Sequence, residues 1–173
     1  TAVLVRPSTA NTVGRVRLAV SAATLNPIYA ALIGTEPNAG LLGVWRSEDH
    51  GVTWTAIGEP GAYRARDPQG DTHFSMAAHP SNAKRVFLGG DSGRGDGNLF
   101  MWAGDLGTPT WVPITGSDKL STGSIVEGAN GTKPHADSRA QVFDATGTTI
   151  LEGREGRHRA PHGRRVRRRD RRG

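Results

Sequence analysis

A stretch of eight residues, Ser47 to Trp54, reads Ser-Glu-Asp-His-Gly-Val-Thr-Trp and constrains the fold of this chain more than any other feature. Asp49 and Gly51 stand where a tight hairpin needs a side chain that bonds the turn backbone and a residue that tolerates positive φ. Ser47 and Thr53 can bond the same turn, and Trp54 supplies a large apolar anchor. The pattern therefore predicts a β-hairpin between two short strands.

The pattern Ser-x-Asp-x-Gly-x-Thr-Trp of residues 47–54 resembles the Asp-box of bacterial-neuraminidase-type (BNR) repeats. The resemblance covers about residues 15–153. It implies a β-propeller built from repeated hairpins, similar to sialidase-superfamily, sortilin-like and xyloglucanase-type repeat proteins. In that family the box is structural, so the resemblance gives its five defining residues a structural role. Enzymes, receptors and non-enzymatic repeats all share the box, so it indicates a fold and not a chemistry.

The chain also repeats itself. Residues 15–29 align without a gap on residues 73–87 at an offset of 58, which pairs five apolar positions. Repetition at such a period is typical of architectures that stack one supersecondary unit on the next. Two tryptophan pairs follow at an offset of 57, namely Trp45 with Trp102 and Trp54 with Trp111.

Each unit reads as four short strands with turn residues between them. Val16, Leu18 and Val20 alternate with Arg17 and Ala19, which is the period-2 pattern of a half-buried strand. The predicted strands cover residues 16–21, 28–33, 43–47 and 53–57 in the first unit, and 74–78, 85–89, 99–102 and 111–115 in the second. A third unit begins at residue 134, runs through 141–143, turns at 145–147 and reaches 149–151.

The predicted fold is all-β, an incomplete β-propeller of two four-stranded blades plus the start of a third. Closure needs at least four blades, so we expect the chain to be part of a longer protein whose missing blades are its partners. The predicted divisions are 1–14, a lead-in or the end of a preceding blade; 15–57, a blade with the Asp-box; 58–71, an inter-blade loop; 72–115, a second blade with a degenerate box; 116–153, a loop and the start of a third blade; and 154–173, an arginine-rich tail.

The net charge of +6 is unevenly distributed. Residues 154–173 carry ten arginines against two acidic residues, a charge of +8, which leaves 12 basic and 14 acidic residues and a charge of −2 elsewhere. We expect this segment to be disordered, because it has little apolar surface to bury. Three interpretations stay open: GC-rich DNA translated out of frame, a genuine basic tail and a cloning artefact. Without an aromatic residue for base stacking, it does not indicate a specific nucleic-acid site.

Five polar residues are candidate ligand contacts because they stand at the entrances of predicted innermost strands. In a propeller, these entrances open toward the central channel. Carboxylates, imidazoles and a guanidinium there can bind a sugar or act as acid and base. The alternative is that they are turn and strand-end residues with local hydrogen bonds. The candidates are Asp71, His73, His135, Asp137 and Arg139.

No cofactor or metal is predicted, since the chain has no cysteine, no HExxH pattern and no complete calcium loop. No apolar run approaches the length of a membrane span. The predicted function is a binding or scaffold module for a glycan or protein, located outside the bacterial cell or in its envelope. The alternative is part of a sialidase-like or xyloglucanase-like glycoside hydrolase. The Arg-Ile-Pro segment of sialidases is absent, and we expect this chain alone to be inactive.

Overall fold

The fold is seen in a computed structural model of the chain. The residues that it describes are 12–35, 40–60, 70, 72–90, 99–105, 107–108, 110–114 and 137–154. Two predicted ligand contacts, Asp71 and His135, lie outside these residues, as do the glycine-rich loop 91–98 and the segment 155–173.

The described residues form strands and no helix, which confirms the all-β class. They build two four-stranded antiparallel sheets and one two-stranded sheet, called the first, second and third sheets below. Within each sheet, every strand pairs with the next one along the chain. The strands are β1 (Val13–Val20), β2 (Ile28–Gly34), β3 (Leu41–Ser47) and β4 (Thr55–Gly58); β5 (Ser75–Ala78), β6 (Arg85–Gly89), β7 (Leu99–Ala103) and β8 (Thr110–Pro113); and β9 (Ser138–Phe143) and β10 (Ile150–Arg154).

The eight strands predicted in the first two units agree with β1 to β8 to within three residues at each end. The third unit supplies β9 and β10, as its pattern predicted. Turn residues explain this agreement. Asn26 takes the positive φ of +42° that asparagine tolerates at the β1–β2 turn, and Gly147 does the same, at +74°, between β9 and β10.

The first and second sheets pack face to face through alternate residues of their second strands. Tyr29, Ala31 and Ile33 share one face of β2 and are fully buried. They belong to apolar clusters that also contain Val86 and Leu88 of β6. Each such large side chain contributes about 1.5–3 kcal/mol when it is removed from water, so this contact is a main source of stability for the two sheets.

Polar groups reinforce the same contact. The indole Nε1 of Trp111, in the second sheet, donates to the carbonyl of Ile57 in the first, at 3.1 Å. The hydroxyl of Tyr29 donates to the carbonyl of Ala83 at 2.7 Å. Burial raises the pKa of this phenol to about 12, against the opposing effect of the nearby Arg46 guanidinium. Tyr29 therefore stays neutral and keeps its hydrogen to donate.

The third sheet packs on the other face of the second. Phe87 and Phe143 meet edge to face, with ring centroids 5.1 Å apart, and the hydroxyls of Ser75 and Ser138 lie 2.6 Å apart in a buried hydrogen bond. Gly89 makes room for this contact, because a Cβ there would come within 2.5 Å of Ser138 Oγ. Strands β1, β5 and β9, the first strand of each sheet, lie next to one another in that order.

The predicted alternation along β1 is present, but the apolar residues form its exposed half and the other half is partly buried. Val16, Leu18 and Val20 are 47%, 63% and 62% exposed. The β1–β2 register pairs Leu18 with Ala30, on the face turned away from the second sheet. The pattern therefore reports an apolar face correctly, but that face is exposed at β1, while Ala30 and Leu32 of β2 on the same face are buried.

The two predicted tryptophan pairs do not take equivalent places in their sheets. Trp45 and Trp102 both lie in the third strand of their sheets, but Trp45 pairs with Ala30 in the second strand, whereas Trp102 pairs with Val86. At the offset of 58, Val86 aligns with Ile28 and not with Ala30. Trp45 pairs with Ala56 across β3 and β4, whereas Trp102 pairs with Trp111 across β7 and β8. Trp54 lies before β4, in the turn. The sequence alignment matched the two indoles by residue type, while the turns before them differ in length.

The sheet contact yields a stability prediction. Leu88→Ala should lower the free energy of unfolding by about 2–5 kcal/mol, because it leaves a cavity in a fully buried cluster. Leu18→Ala makes the same chemical change on the exposed face and should cost less than about 1 kcal/mol. Urea unfolding of both variants and the wild type measures the difference. Equal costs would show that the two faces are not covered as described.

Candidate functional site

The turn between β3 and β4 is held by its own side chains. Ser47 Oγ donates to the Asp49 carboxylate and accepts from the Gly51 N–H, both at 2.8 Å. Asp49 in turn accepts from the Thr53 N–H at 2.8 Å and from the Thr53 hydroxyl at 2.6 Å. The indole of Trp54 donates to the Gly51 carbonyl at 3.0 Å. All five residues of the predicted box therefore bond within the turn.

The backbone of this turn needs residues that tolerate a left-handed conformation. Gly51 has a φ of +91° and His50 a φ of +60°. Glycine adopts such angles without steric cost, which a side chain at position 51 would incur. The hydrogen bonds from Thr53, followed by that from Ser47, lower the pKa of the Asp49 carboxyl to about 2. The carboxylate thus acts as the acceptor that closes the turn.

A related arrangement recurs between β9 and β10. The Asp144 carboxylate accepts from the Thr146 hydroxyl at 2.8 Å and from the N–H groups of Thr148 and Thr149 at 3.0 and 3.1 Å. These bonds, the Thr146 hydroxyl first, lower the pKa of Asp144. At the predicted degenerate box, Asp105 instead accepts from Asn82, in a neighbouring turn, at 3.2 Å.

The Asp49 geometry gives a pH-dependent prediction. Because the pKa is lower in the folded chain, the ionised carboxylate stabilises the fold above pH ~4, and this contribution disappears as the pH falls through about 2. Asp49→Asn should melt below the wild type at neutral pH, and the gap should close over that range. Thr53→Val removes the strongest bond to the carboxylate. In a chain that carries Thr53→Val, the melting gap between Asp49 and Asp49→Asn should therefore close at a higher pH. Melting curves from neutral to acidic pH test this; a gap that stays constant would contradict it.

Two of the predicted ligand contacts lie close together between the second and third sheets. His73 Nε2 lies 3.8 Å from Asp137 Oδ1. The histidine is buried, at 7% exposure, while the Asp137 side chain is 24% exposed. Asp137 has a φ of +78°, which is uncommon for a residue other than glycine. Asp137 comes just before the third sheet, and His73 comes just before the second sheet. Their contact therefore joins the two sheets, in addition to any ligand role.

Arg139, the third described candidate, is exposed and lines a cleft of about 190 Å³ along the three first strands. Arg17 of β1 and Ser75 of β5 also line it. The cleft therefore joins residues of all three sheets. Its lining is Arg17, Leu18, Phe74, Ser75, Met76, Arg139, Ala140 and Gln141. We call it the inner cleft.

Buried polar atoms at the inner cleft lack partners within the described part of the chain. Both polar atoms of the Gln141 amide are buried without a hydrogen bond, and so is Nε of Arg17. A buried polar atom without a partner costs about 1–3 kcal/mol. A small polar ligand, or water, in the inner cleft would supply those bonds.

A larger cleft, of about 610 Å³, lies between the first and second sheets beside the 47–54 turn. We call it the outer groove. Arg46 holds a fixed position there, because its guanidinium lies 6.0 Å from the Tyr29 ring centroid and 5.7 Å from that of Trp102. The lining is Arg46, Glu48, Thr53, Thr55, Ala56, Ile57, Lys84, Trp102 and Gly104.

The sequence reasoning missed the outer groove. It gave the 47–54 hairpin a structural role only, whereas Glu48 and Thr53 of that hairpin line this cleft. No local motif predicts the site, because Lys84 and Trp102, which line it, belong to the second unit of the sequence.

Comparisons of the chain with protein-family models, with curated proteins and with solved structures find no match. Within the described ranges, no group of three or more His, Asp or Glu side chains is placed to hold a metal ion. The same residues contain no helix that is long and apolar enough to cross a membrane.

Proposed function

We propose that this chain is part of an Asp-box repeat β-propeller and serves as a binding module for a glycan or a protein. The stacking of two similar four-stranded sheets, each with a tryptophan in its third strand, supports the repeat. So does the order of β1, β5 and β9, because a propeller places the first strands of its blades around one axis. The side-chain bonds of the 47–54 turn support a structural Asp-box.

The observation that carries the binding proposal is the inner cleft. Its charged lining residues are Arg17 and Arg139, and no carboxylate lines it among the described residues. The Gln141 amide adds a donor and an acceptor that have no partner of their own. Such a lining suits a hydroxyl-rich or anionic group, because arginine and amide groups can donate to it and the amide oxygen can accept.

His73 and Asp137 extend this proposed site at the entrance of the inner strands. The imidazole and the carboxylate are 3.8 Å apart. Asp137 stands two residues before Arg139, so a ligand held by the arginine can reach it. Asp71 and His135, which precede the same strands in sequence, complete the proposed set of contacts.

The second candidate function is a glycoside hydrolase, which needs two carboxylates about 5–9.5 Å apart across the scissile bond. No carboxylate lines the inner cleft among the described residues: Asp137 lies against His73, and Glu152 pairs across β9 and β10 with Gln141. This favours binding over catalysis for the chain by itself. We place the module outside the cell or in the envelope, where glycan ligands are presented, and propose no cofactor, no nucleic-acid partner and no membrane span.

A glycan array combined with a hydrolysis assay tests the proposal. Wild-type chain should bind a subset of glycans at physiological ionic strength and hydrolyse none. Arg139→Ala should weaken that binding by about tenfold, which is the usual effect of losing a hydrogen bond to a charged group.

Leu151→Ala, at an exposed position of β10, is a matched control that should leave binding unchanged. Hydrolysis by the wild-type chain would contradict the binding proposal and support the glycoside hydrolase instead. Binding that Arg139→Ala leaves intact would place the ligand outside the inner cleft.

A further inference from the structure

The outer groove is a second cleft, separate from the inner cleft and with a different lining. Its volume of about 610 Å³ lies in the range typical of sites that hold small ligands, about 300–1,000 Å³. Consecutive residues Thr55, Ala56 and Ile57 of β4 form one wall. Lys84 and Trp102, from the second unit, form the opposite wall. The groove therefore runs along the edge of β4.

The groove has a fixed cation on one wall. Arg46 donates to the Ala83 carbonyl at 2.9 Å and pairs with Glu48. The rings of Tyr29 and Trp102 hold its guanidinium by cation–π contact. Its Nε is buried without a hydrogen-bond partner in the described part of the chain. The side chain is therefore pre-positioned, with one donor still unused.

Lys84 supplies a second positive charge, from an exposed position. Arg46 and Lys84 outweigh the single carboxylate of the lining, Glu48, so the described lining has a net charge of +1. Glu48 is paired with Arg46. The charge left over is that of Lys84, which favours a ligand with a negative group near it.

The lining of the outer groove also contains hydroxyl and apolar groups. Thr53 and Thr55 are exposed on the wall of the groove, and the Thr53 hydroxyl, which donates to Asp49, keeps lone pairs to accept. Ile57 and the indole of Trp102 supply apolar surface. Gly104 permits this indole position, because a Cβ there would lie 2.6 Å from the ring.

We propose that the outer groove binds an acidic oligosaccharide, with its anionic group at Lys84 and its hydroxyls at Thr53, Thr55 and Glu48. Closely spaced donors and acceptors beside a small apolar strip suit a ligand that carries many hydroxyls on a carbon ring. The net positive lining selects an acidic sugar over a neutral one. This site goes beyond the proposed function, because it does not depend on any residue of the inner cleft.

Titration calorimetry on the whole chain tests the proposal with three probes. Trigalacturonic acid carries carboxylates, a heparin-derived tetrasaccharide carries sulfates, and cellotetraose is neutral. Binding of one of the acidic probes, with cellotetraose at least about tenfold weaker, is expected, since a charge-assisted hydrogen bond is worth about that much. The preferred acidic probe identifies the source of the negative charge.

Two variants locate the site. Lys84→Glu reverses the proposed contact charge and should lower the affinity for the acidic probe by more than about tenfold. Thr55→Val removes a hydroxyl and keeps a β-branched side chain in the strand, so it should weaken binding with an unchanged melting point. Arg168→Glu, in the arginine-rich C-terminal segment, makes an equal change in net charge and should leave the affinity unchanged.

An NMR titration adds a direct readout. In ¹⁵N-labelled chain, the indole N–H resonance of Trp102 should shift with the acidic probe, while that of Trp45 serves as the internal reference. Equal or tighter binding of cellotetraose, or no binding of any probe, would overturn the proposal. So would an affinity lost in Arg168→Glu and retained in Lys84→Glu. A loss in Arg139→Ala alone would move the ligand to the inner cleft, which overturns this site and leaves the proposed function standing.

Discussion

The first and second sheets pack through a narrow apolar seam in which Tyr29, Ala31 and Ile33 of β2 meet the second sheet. Small residues such as Ala31 let the sheets approach closely, and Trp111 extends across the seam to bond the Ile57 carbonyl. Both clefts depend on this contact. The outer groove lies between the two sheets, and the inner cleft lies where their first strands come side by side with β9. Loss of the seam would remove both proposed binding sites at once.

Much of the fold was predictable because local chemistry dictates it. Asparagine, proline, aspartate and glycine favour turns and therefore end strands. For this reason β1 to β8 lie close to their predicted bounds. The β1 alternation shows the limit of this reasoning. A period of two identifies an apolar face, but only the arrangement of sheets decides whether that face is covered, and Leu18 is 63% exposed. The alignment of Trp45 with Trp102 failed for a similar reason, since a match of residue types does not fix cross-strand register.

The candidate sites also differ in how far the sequence predicts them. The 47–54 turn was predictable because its bonds link residues within four positions of one another. Strand order places His73 and Asp137 near each other, and the structure brings them within 3.8 Å. The sequence did not reveal that His73 is buried. The outer groove was beyond prediction, because it combines Arg46, Lys84 and Trp102 from separate sheets, and no spacing along the chain relates them.

The first and second sheets pack face to face, and the indole of Trp111 in the second sheet bonds the first. A ¹⁵N-edited NOE experiment on the whole chain tests this packing most directly, because the Trp111 Nε1 proton points at the first sheet. The account predicts NOEs from this proton to the α-proton and methyl groups of Ile57, 54 residues away in sequence. NOEs confined to residues of the second sheet, such as Trp102, would contradict the stacking and with it both proposed sites.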